Sequence, residues 1–524
     1  MAAAQGKVER QGWRQSMSSL HTWAGLIPGW ILFLVFLSGT ASFFRHEISA
    51  WMRPELTPAP VTRQALRAAD TILATAGRDA PNWSVTLPNP RGGEALTLDW
   101  PPSTDEGEWT SITLDPATGK RASIRETEGG DFLFHFHYNL RYLPWWAGRY
   151  LIVIASLAMV VAILSGVITH KKIFTDFFLL RFGKGQRSWL DAHNVTSVLA
   201  LPFHLMITYT GLVIFANMLL PWPISANFAS EDGYYEESYP SLADVEKAGR
   251  PAPALSLVGL IDTARSWIGE MPASLSIQHP GEAAAIATAY PRPDRLGGNP
   301  PAVYIDAVSG AVLTGTRPAS GAEATRDVMV QLHAGWFAAP VLRWLYFAAG
   351  LSGTVMIGSG LILWTVKRRA KLPDPARPHF GFRLVERLNI AVIAGAPAAI
   401  AIFFLANRLL PLTLTDRAAW EVDALFIGWG AICGWAFGRP AKRAWVEVLG
   451  TGAVLYAAVP LINAWTTGHG LVPALISGDR VFAAFDATML GTAILLAFAA
   501  RRMARYRPRM PPSRQGRVTT QAAA

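Results

Sequence analysis

The chain has 524 residues, of which 51% are hydrophobic and 16% are charged, with a formal net charge of +10 and one cysteine. This composition excludes a single soluble globule with a wet surface and a fold held by disulfides. Membrane topology accounts for the excess of Lys and Arg, so we expect no nucleic-acid partner. The sequence predicts a polytopic α-helical membrane protein embedded in a lipid bilayer.

Eight stretches are apolar and long enough to cross a bilayer about 30 Å thick. They lie near residues 24–44, 150–169, 194–219, 341–365, 389–410, 422–438, 446–465 and 481–500. Basic clusters lie between them, at Lys7 to Arg14, Lys171 to Arg187, Lys367 to Lys371, Arg439 to Arg443 and Arg501 to Arg517. All clusters share one side if both termini are cytoplasmic. We therefore expect a bacterial-type inner membrane protein whose first helix is retained as a span.

This orientation divides the chain into segments on alternate sides of the membrane. We expect a cytoplasmic N-terminus at 1–23, spans at 24–44, 148–170, 192–219 and 339–366, periplasmic domains at 45–147 and 220–338, cytoplasmic loops at 171–191 and 367–388, an additional membrane domain of four spans at 389–500, and a basic cytoplasmic tail at 501–524. Neither periplasmic domain contains a cysteine, because Cys433 lies in a predicted span.

Both periplasmic segments contain the same pattern of strand and turn. Alternating residues predict strands within 111–120 and 303–310, and helices are expected near 62–76 and 255–269. The turns are predicted at Asp115, Pro116, Gly119, Asp306 and Gly310. The sequence thus predicts hairpins in two small α+β domains.

The chain contains an internal duplication. A shift of 172 positions aligns His21, Ser38, Gly39 and Phe43 with His193, Thr210, Gly211 and Phe215, and a shift of 194 aligns Arg149, Ser165 and Gly166 with Arg343, Ser359 and Gly360. His137 and His333 each lie seven residues before a proline. The repeated unit is an apolar helix, a polar segment and a second apolar helix. Each copy has one histidine at the start of its first helix and another just before its second.

Histidines near membrane depth are the candidate cofactor ligands. Ionisable side chains there are costly and usually face the interior of the bundle, and a neutral imidazole is a good ligand for haem iron. The candidates are His21, His137, His170, His193, His204 and His333. The duplication predicts a pseudo-twofold core, with His21 facing His193 near the cytoplasm and His137 facing His333 near the outer side.

His170 and His204 break this symmetry, because their repeat counterparts are Trp364 and Leu32. His193 and His204 are eleven residues apart. On one continuous helix they would lie within about 20° of the same face, with a rise of about 16 Å. Two stacked cofactors could bind to such a helix, although unrelated histidines on an interior stripe would have the same spacing.

Several motifs resemble the PepSY-associated transmembrane family. They are His21-Thr-Trp-Ala-Gly-Leu, Ser38-Gly-Thr, Phe136-His137-Tyr-Asn-Leu, Leu332-His333-Ala-Gly and the turns at Asp115 and Asp306. Thr169-His170-Lys-Lys-Ile-Phe, Trp189-Leu-Asp-Ala-His193-Asn and Leu201-Pro-Phe-His204 are similar to the FoxB-type inner-membrane ferric-siderophore reductases. The resemblance covers roughly residues 15–370. It leaves out the added spans at 389–500, which could form a dimer surface, a quinol site or a docking platform.

The resemblance implies two PepSY-like periplasmic domains and a helical core that binds haem b. It implies an enzyme, a ferric-siderophore reductase that releases iron from hydroxamate-type complexes. We expect two haems, with the iron held by His193, His137, His333 and His21 ahead of His204 and His170. No Walker A motif and no Gly-x-Gly-x-x-Gly fingerprint before a helix occur, so quinol or another protein is the expected electron donor.

Two other classes of function compete with this interpretation. One is a non-redox accessory of siderophore uptake. The other is a PepSY-type regulator of periplasmic peptidases, in which the histidines only pack. Haem in the purified protein would distinguish the reductase from both.

Overall fold

The computed structural model describes residues 12–56, 59–102, 108–170, 179–230, 232–234, 247–297, 301–313 and 321–506. The basic residues Lys7, Arg10, Lys171 and Lys172 and most of the basic tail lie outside these ranges. Within them, long helices form most of the chain, and the segments between the helices contribute one β-sheet.

The internal duplication is visible in how the helices pack. The first copy contains α1 (Trp13–Leu26), α2 (Gly29–Ser42), α3 (Arg45–Met52), α4 (Arg63–Ala76), α5 (Gly129–Tyr138) and α6 (Trp145–Thr169). The second contains α7 (Gln186–Leu199), α8 (Leu201–Ile214), the short α9 (Ala216–Leu219) and α10 (Trp222–Asn227), α11 (Leu257–Ile268), α12 (Gly321–Ala334) and α13 (Pro340–Arg369). Helix α1 packs on α6 as α7 packs on α13, and α2 packs on α5 as α8 packs on α12. The helical core therefore has a pseudo-twofold arrangement.

Two predicted spans are bent rather than straight. The axes of α1 and α2 differ by 60°, and those of α7 and α8 differ by 68°. Pro28 precedes the first turn of α2, and Pro202 lies in the first turn of α8. Proline cannot donate a backbone hydrogen bond and its ring crowds the preceding turn, so a helix readily ends before it.

The last part of the chain forms a separate group of helices. These are α14 (Phe380–Asn389), a π-helical turn (Ile390–Ala394), α15 (Gly395–Leu409), α16 (Arg417–Gly438), α17 (Ala441–Thr467), the short α18 (Leu471–Ser477) and α19 (Arg480–Arg505). Helix α17 packs against both α15 and α19. The Asn389 side chain joins this group to the first copy, because it accepts a hydrogen bond from the Trp30 indole N–H over 2.9 Å.

Five helices of the described chain are long and apolar enough to cross a membrane, and the number is seven if each bent pair is one span. Eight spans were expected. The difference is the stretch 422–438, which lies in α16. This helix carries Arg417, Glu421 and Asp423 in its first two turns, which lowers its apolar character.

The two polar segments share one antiparallel sheet. Its strands are β1 (Asn82–Thr86), β2 (Leu96–Trp100), β3 (Thr110–Leu114), β4 (Ser274–Gln278), β5 (Ile286–Tyr290), β6 (Val303–Asp306) and β7 (Val312–Leu313). The order is β3-β2-β1-β4-β5-β6-β7, so β1 and β4 join the two copies, with Val85 opposite Leu275. Two small domains were expected, each with its own sheet. Their strands join because β1 and β4 would otherwise leave unpaired backbone groups at an edge.

The sheet is stabilised by a core to which both copies contribute. Helices α4 and α11 lie close to the predicted ranges, and Leu73, Leu98, Leu260 and Ile305 are fully buried in one apolar cluster. The two predicted turns are present. Asp115 accepts hydrogen bonds from the N–H groups of Ala117 and Thr118, and Asp306 accepts them from Val308 and Ser309. Gly119 and Gly310 follow with φ of 73° and 76°.

Chain connectivity places the sheet at one end of the helices. The sheet segments follow α2 and α8 and precede α6 and α13, and we call this end the sheet end. At the opposite end lie Arg14, Arg181, Arg368, Arg439 and Arg501, and we call it the basic end.

Candidate cofactor sites formed by paired histidines

Four histidines form two pairs inside the helical core. The rings of His21 on α1 and His193 on α7 have centroids 6.1 Å apart. The rings of His137 on α5 and His333 on α12 have centroids 5.8 Å apart. We call the first the basic-end pair and the second the sheet-end pair. Both pairs are those expected from the duplication, because each joins equivalent positions of the two copies.

Each imidazole donates a hydrogen bond from Nδ1 to a backbone carbonyl of a neighbouring helix. The bonds run from His21 to Ala162, from His193 to Met356, from His137 to Val35 and from His333 to Ile207, with N···O distances of 2.8, 2.8, 2.8 and 2.9 Å. A carbonyl oxygen only accepts, so Nδ1 must carry the proton and Nε2 keeps its lone pair. Among the described residues, none forms a hydrogen bond with Nε2 of these four rings.

A glycine lies against each of these rings. A Cβ atom on Gly39 would be 2.5 Å from Nδ1 of His137, and one on Gly211 would be 2.8 Å from Cε1 of His333. At Gly166 and Gly360 the corresponding distances to the rings of His21 and His193 are 3.1 and 3.2 Å. The absence of a side chain therefore lets each ring approach the helix that accepts its hydrogen bond.

The environment keeps the sheet-end pair uncharged. Helices α5 and α12 lie outside the candidate spans. Burial lowers the pKa of His137, and burial together with the neighbouring His137 lowers the pKa of His333 to about 3. All four paired rings nevertheless retain some accessible surface. A neutral imidazole with a free Nε2 is the form that binds a metal ion.

The spacing within each pair fits two imidazoles on one metal ion. Metal–nitrogen bonds of about 2 Å on opposite sides of an iron separate the two ring centroids by about 6 Å. The observed values are 6.1 and 5.8 Å. Within the described ranges no three or more His, Cys, Asp or Glu side chains are grouped to hold a metal ion. Each pair offers two imidazoles, which would be enough to hold a haem iron in bis-imidazole coordination.

The two pairs lie at different depths of the same core. Gly350 of α13 packs against Thr40, next to the glycine that contacts His137, whereas Gly360 of α13 packs against His193. These glycines are ten residues apart on one helix, which corresponds to about 15 Å along its axis. The two pairs are therefore neighbours along the axis of α13.

His204 and His170 form no such pair. His204 is fully buried and its Nε2 lies 3.3 Å from the Ala349 carbonyl. Among the described residues its Nδ1 has no hydrogen-bond partner. His170 Nε2 lies 3.0 Å from the side-chain amide of Asn194. His193 and His204 do not share one face of a continuous helix, because the chain bends by 68° between α7 and α8.

Two features of the site have no clear signal in the sequence. The acceptors of the imidazole hydrogen bonds are backbone carbonyls, which any residue type supplies. The second feature is a buried polar cluster that attaches α15–α19 to α3 and to the segment before α5. Its buried members are Thr127, Asn407, Arg408, Arg417, Glu421, Asn463 and Asp486. Single polar residues within apolar stretches were the available hint.

Two comparisons with known proteins found matches to this chain. A family model described as PepSY-associated TM region matches residues 18–367. An uncharacterised protein of Pseudomonas aeruginosa is 29% identical over 380 residues, which cover 66% of this chain and 89% of that protein. The range of the family match contains all four paired histidines and ends before α14.

Proposed function

This chain belongs to the family of membrane proteins described as PepSY-associated TM region, and from its paired histidines we propose that it is an inner-membrane haem-containing reductase. In this proposal it passes electrons across the membrane to periplasmic ferric-siderophore complexes of the hydroxamate type. The sheet end is periplasmic and the basic end is cytoplasmic, in keeping with the distribution of Lys and Arg. Quinol or another protein supplies the electrons.

The proposal rests mainly on the two histidine pairs. In each pair the ring centroids are about 6 Å apart. Each Nδ1 is hydrogen-bonded to a backbone carbonyl, and each Nε2 has no hydrogen bond with a described residue. The four paired rings all direct Nδ1 to a backbone carbonyl, whereas His204, which has no imidazole partner among the described residues, directs Nε2 to the Ala349 carbonyl. The same feature occurs at four positions, so packing alone is a poor explanation.

Within this proposal the residues of the chain hold and orient the cofactors. Haem b would be held by His21 with His193 and by His137 with His333, and when bound it would supply a one-electron couple at each pair. The carbonyls of Val35, Ala162, Ile207 and Met356 fix the ring orientation through Nδ1. At the sheet end, Fe(III) in a siderophore takes up one electron, and the resulting Fe(II) is bound far less tightly by hydroxamate oxygens.

The first test is the cofactor content of the protein purified after expression with a haem precursor. A pyridine haemochrome assay should give about two haems b per chain, and dithionite should shift the Soret band. The double variant His21→Ala/His193→Ala and the double variant His137→Ala/His333→Ala should each retain one. His379→Ala is the matched control, because His379 lies at the start of α14 and caps Phe382. Less than about 0.2 haem per chain in the unaltered protein would overturn the proposal.

The second test concerns the substrate. Protein reduced with dithionite and freed of excess reductant is mixed with a ferric hydroxamate complex in a stopped-flow instrument. The reoxidation rate should rise with the concentration of the complex, with one Fe(II) formed per electron lost. The gallium(III) complex of the same hydroxamate is the control, since Ga(III) cannot accept the electron. Equal reoxidation in both would reject the siderophore as electron acceptor.

A further inference from the structure

Each paired imidazole contacts a short structural motif on a neighbouring helix. The four motifs are alike and lie on four different helices. A serine or threonine followed by glycine contacts each ring, and the accepting carbonyl lies four residues before the glycine. The dipeptides are Ser38-Gly39 on α2, Ser165-Gly166 on α6, Thr210-Gly211 on α8 and Ser359-Gly360 on α13. We call each of them a Ser/Thr-Gly socket. Its recurrence on four helices indicates that the geometry serves the rings rather than the packing of one helix pair.

The hydroxyl group of each socket lies near the carbonyl that the imidazole uses. The hydroxyl-to-carbonyl distances are 3.0 Å for Ser359, 3.2 Å for Ser165, 3.3 Å for Thr210 and 3.4 Å for Ser38. In Ser38, Ser165 and Thr210 the single hydroxyl proton lies closer to the carbonyl one residue earlier, at 2.7, 2.6 and 2.8 Å, and is shared with the socket carbonyl. Ser359 donates to the socket carbonyl alone. A hydroxyl that donates to this oxygen competes with the Nδ1–H group for its electron density.

We propose that the four sockets are positioning elements that set the orientation and electron donation of the haem ligands. The glycine admits the ring to the carbonyl, and the hydroxyl limits the strength of the Nδ1–H···O bond. A stronger bond at Nδ1 makes the imidazole a more basic ligand. A more basic ligand favours Fe(III) over Fe(II), so the socket hydroxyl holds the haem potential above the value it would otherwise have. This inference rests on the proposed function, because it concerns the ligands of those haems.

A fifth dipeptide, Ser352-Gly353, contacts a histidine ring of the opposite orientation. Gly353 lies against the ring of His204. The Ala349 carbonyl, four residues before this glycine, accepts a hydrogen bond from Nε2 of His204 instead of Nδ1. The Ser352 hydroxyl donates to the Thr196 carbonyl over 3.0 Å and not to that of Ala349. Ser352→Ala is therefore a matched control for the four sockets.

The glycine series tests the steric part of the proposal. The distance from an added Cβ to the ring increases from Gly39 through Gly211 and Gly166 to Gly360. Gly39→Ala and Gly211→Ala should each lower the haem content from two per chain to one. Gly166→Ala and Gly360→Ala should retain both haems and shift the potential of the basic-end haem. Gly491→Ala on α19 is the control, because its Cβ would meet no atom within 4 Å. Two haems with unchanged potentials in Gly39→Ala would overturn the steric role.

The serine-to-alanine variants each remove one hydroxyl oxygen and add no atom near the imidazole ring. They therefore remain informative even if a glycine variant fails to fold. Ser359→Ala should shift the midpoint potential of the basic-end haem to a more negative value by the largest amount. Ser165→Ala should give a smaller negative shift, Ser38→Ala the smallest, and Ser352→Ala none. Thr210 is left out of the order because its hydroxyl also lies 3.2 Å from Nδ1 of His333.

Redox titration followed in the α-band and electron paramagnetic resonance at low temperature read out these variants without a turnover assay. Unshifted potentials in Ser359→Ala and Ser165→Ala, or shifts as large in Ser352→Ala, would overturn the role of the hydroxyl groups. The unaltered protein separates the two proposals. If it binds no haem, the proposed function fails; if it binds two haems and no socket variant changes them, only this inference fails.

Discussion

The indole N–H of Trp51 donates a hydrogen bond to the carboxylate of Asp486 over 3.0 Å, and the two residues are 435 positions apart in the chain. Both side chains are fully buried. The other oxygen of Asp486 accepts from the Asn463 amide, and the Arg408 guanidinium lies 3.8 Å from the Trp51 ring centroid. This contact joins the last helix to α3, which packs against the helix that carries His137. The added spans thus support the sheet-end pair.

Replacing Asp486 by Ala should destabilise the protein by about 3 kcal/mol, because it leaves the buried indole N–H of Trp51 and the side-chain amide of Asn463 without their acceptor. The thermal denaturation midpoint in detergent measures the effect. The control is Asp262→Ala, which breaks an exposed ion pair with Arg63 and should cost less than about 1 kcal/mol. Equal midpoints for the two variants would contradict a supporting role of the cluster.

The two pairs should serve opposite ends of electron transfer. His193→Ala should lose the basic-end haem and stop reduction driven by quinol or by cells, while its chemically reduced form still passes an electron to a ferric hydroxamate. His333→Ala should do the reverse and leave a reducible haem that the substrate does not reoxidise. Stopped-flow reoxidation after removal of dithionite distinguishes them. A slow His193 variant together with a normal His333 variant would reverse the assignment of the two ends.

The two haems should differ in their electron paramagnetic resonance spectra. The ring planes of His21 and His193 are 67° apart, whereas those of His137 and His333 are 33° apart. The g anisotropy of a low-spin ferric haem increases as its two imidazole planes approach perpendicular. We expect one strongly anisotropic signal, lost in His193→Ala, and one rhombic signal, lost in His333→Ala. Two identical signals in the unaltered protein would show that the ring planes change when haem binds.

His204 is expected to be dispensable for haem binding, since its ring has the opposite orientation and no imidazole partner among the described side chains. His204→Leu places in the second copy the residue that the first copy has at Leu32. The variant should retain two haems by the pyridine haemochrome assay. A loss of one haem would make His204 a ligand and require a different pairing.

The two sheet segments should fold only together. Val85 of β1 and Leu275 of β4 are both fully buried and lie opposite each other at the junction. Leu275→Ala should therefore destabilise the protein by about 3 kcal/mol and should expose both segments to protease at once. Limited proteolysis with mapping of the fragments provides the measurement. Cleavage confined to the segment after α8 would argue against a shared core.

The amino-acid sequence by itself predicted the helical membrane class, the internal duplication and the two histidine pairs. Long apolar runs have few structural solutions in a bilayer, and a duplicated unit places equivalent residues such as His21 and His193 about one pseudo-twofold axis. The turns at Asp115 and Asp306 were also predictable, because an aspartate two residues before an exposed backbone N–H forms the turn locally. Each of these features depends on local pattern or on symmetry.

Only the tertiary structure decided the bends after α1 and α7, the joining of β1 to β4, and which nitrogen of each histidine is free. Helix direction after a proline depends on what the next segment packs against, so an eleven-residue spacing could not place His204 relative to His193. Strand pairing between the copies joins residues almost 200 positions apart, as between Val85 and Leu275. The imidazole orientation depends on backbone carbonyls such as that of Met356, and a carbonyl is the same chemical group at every residue.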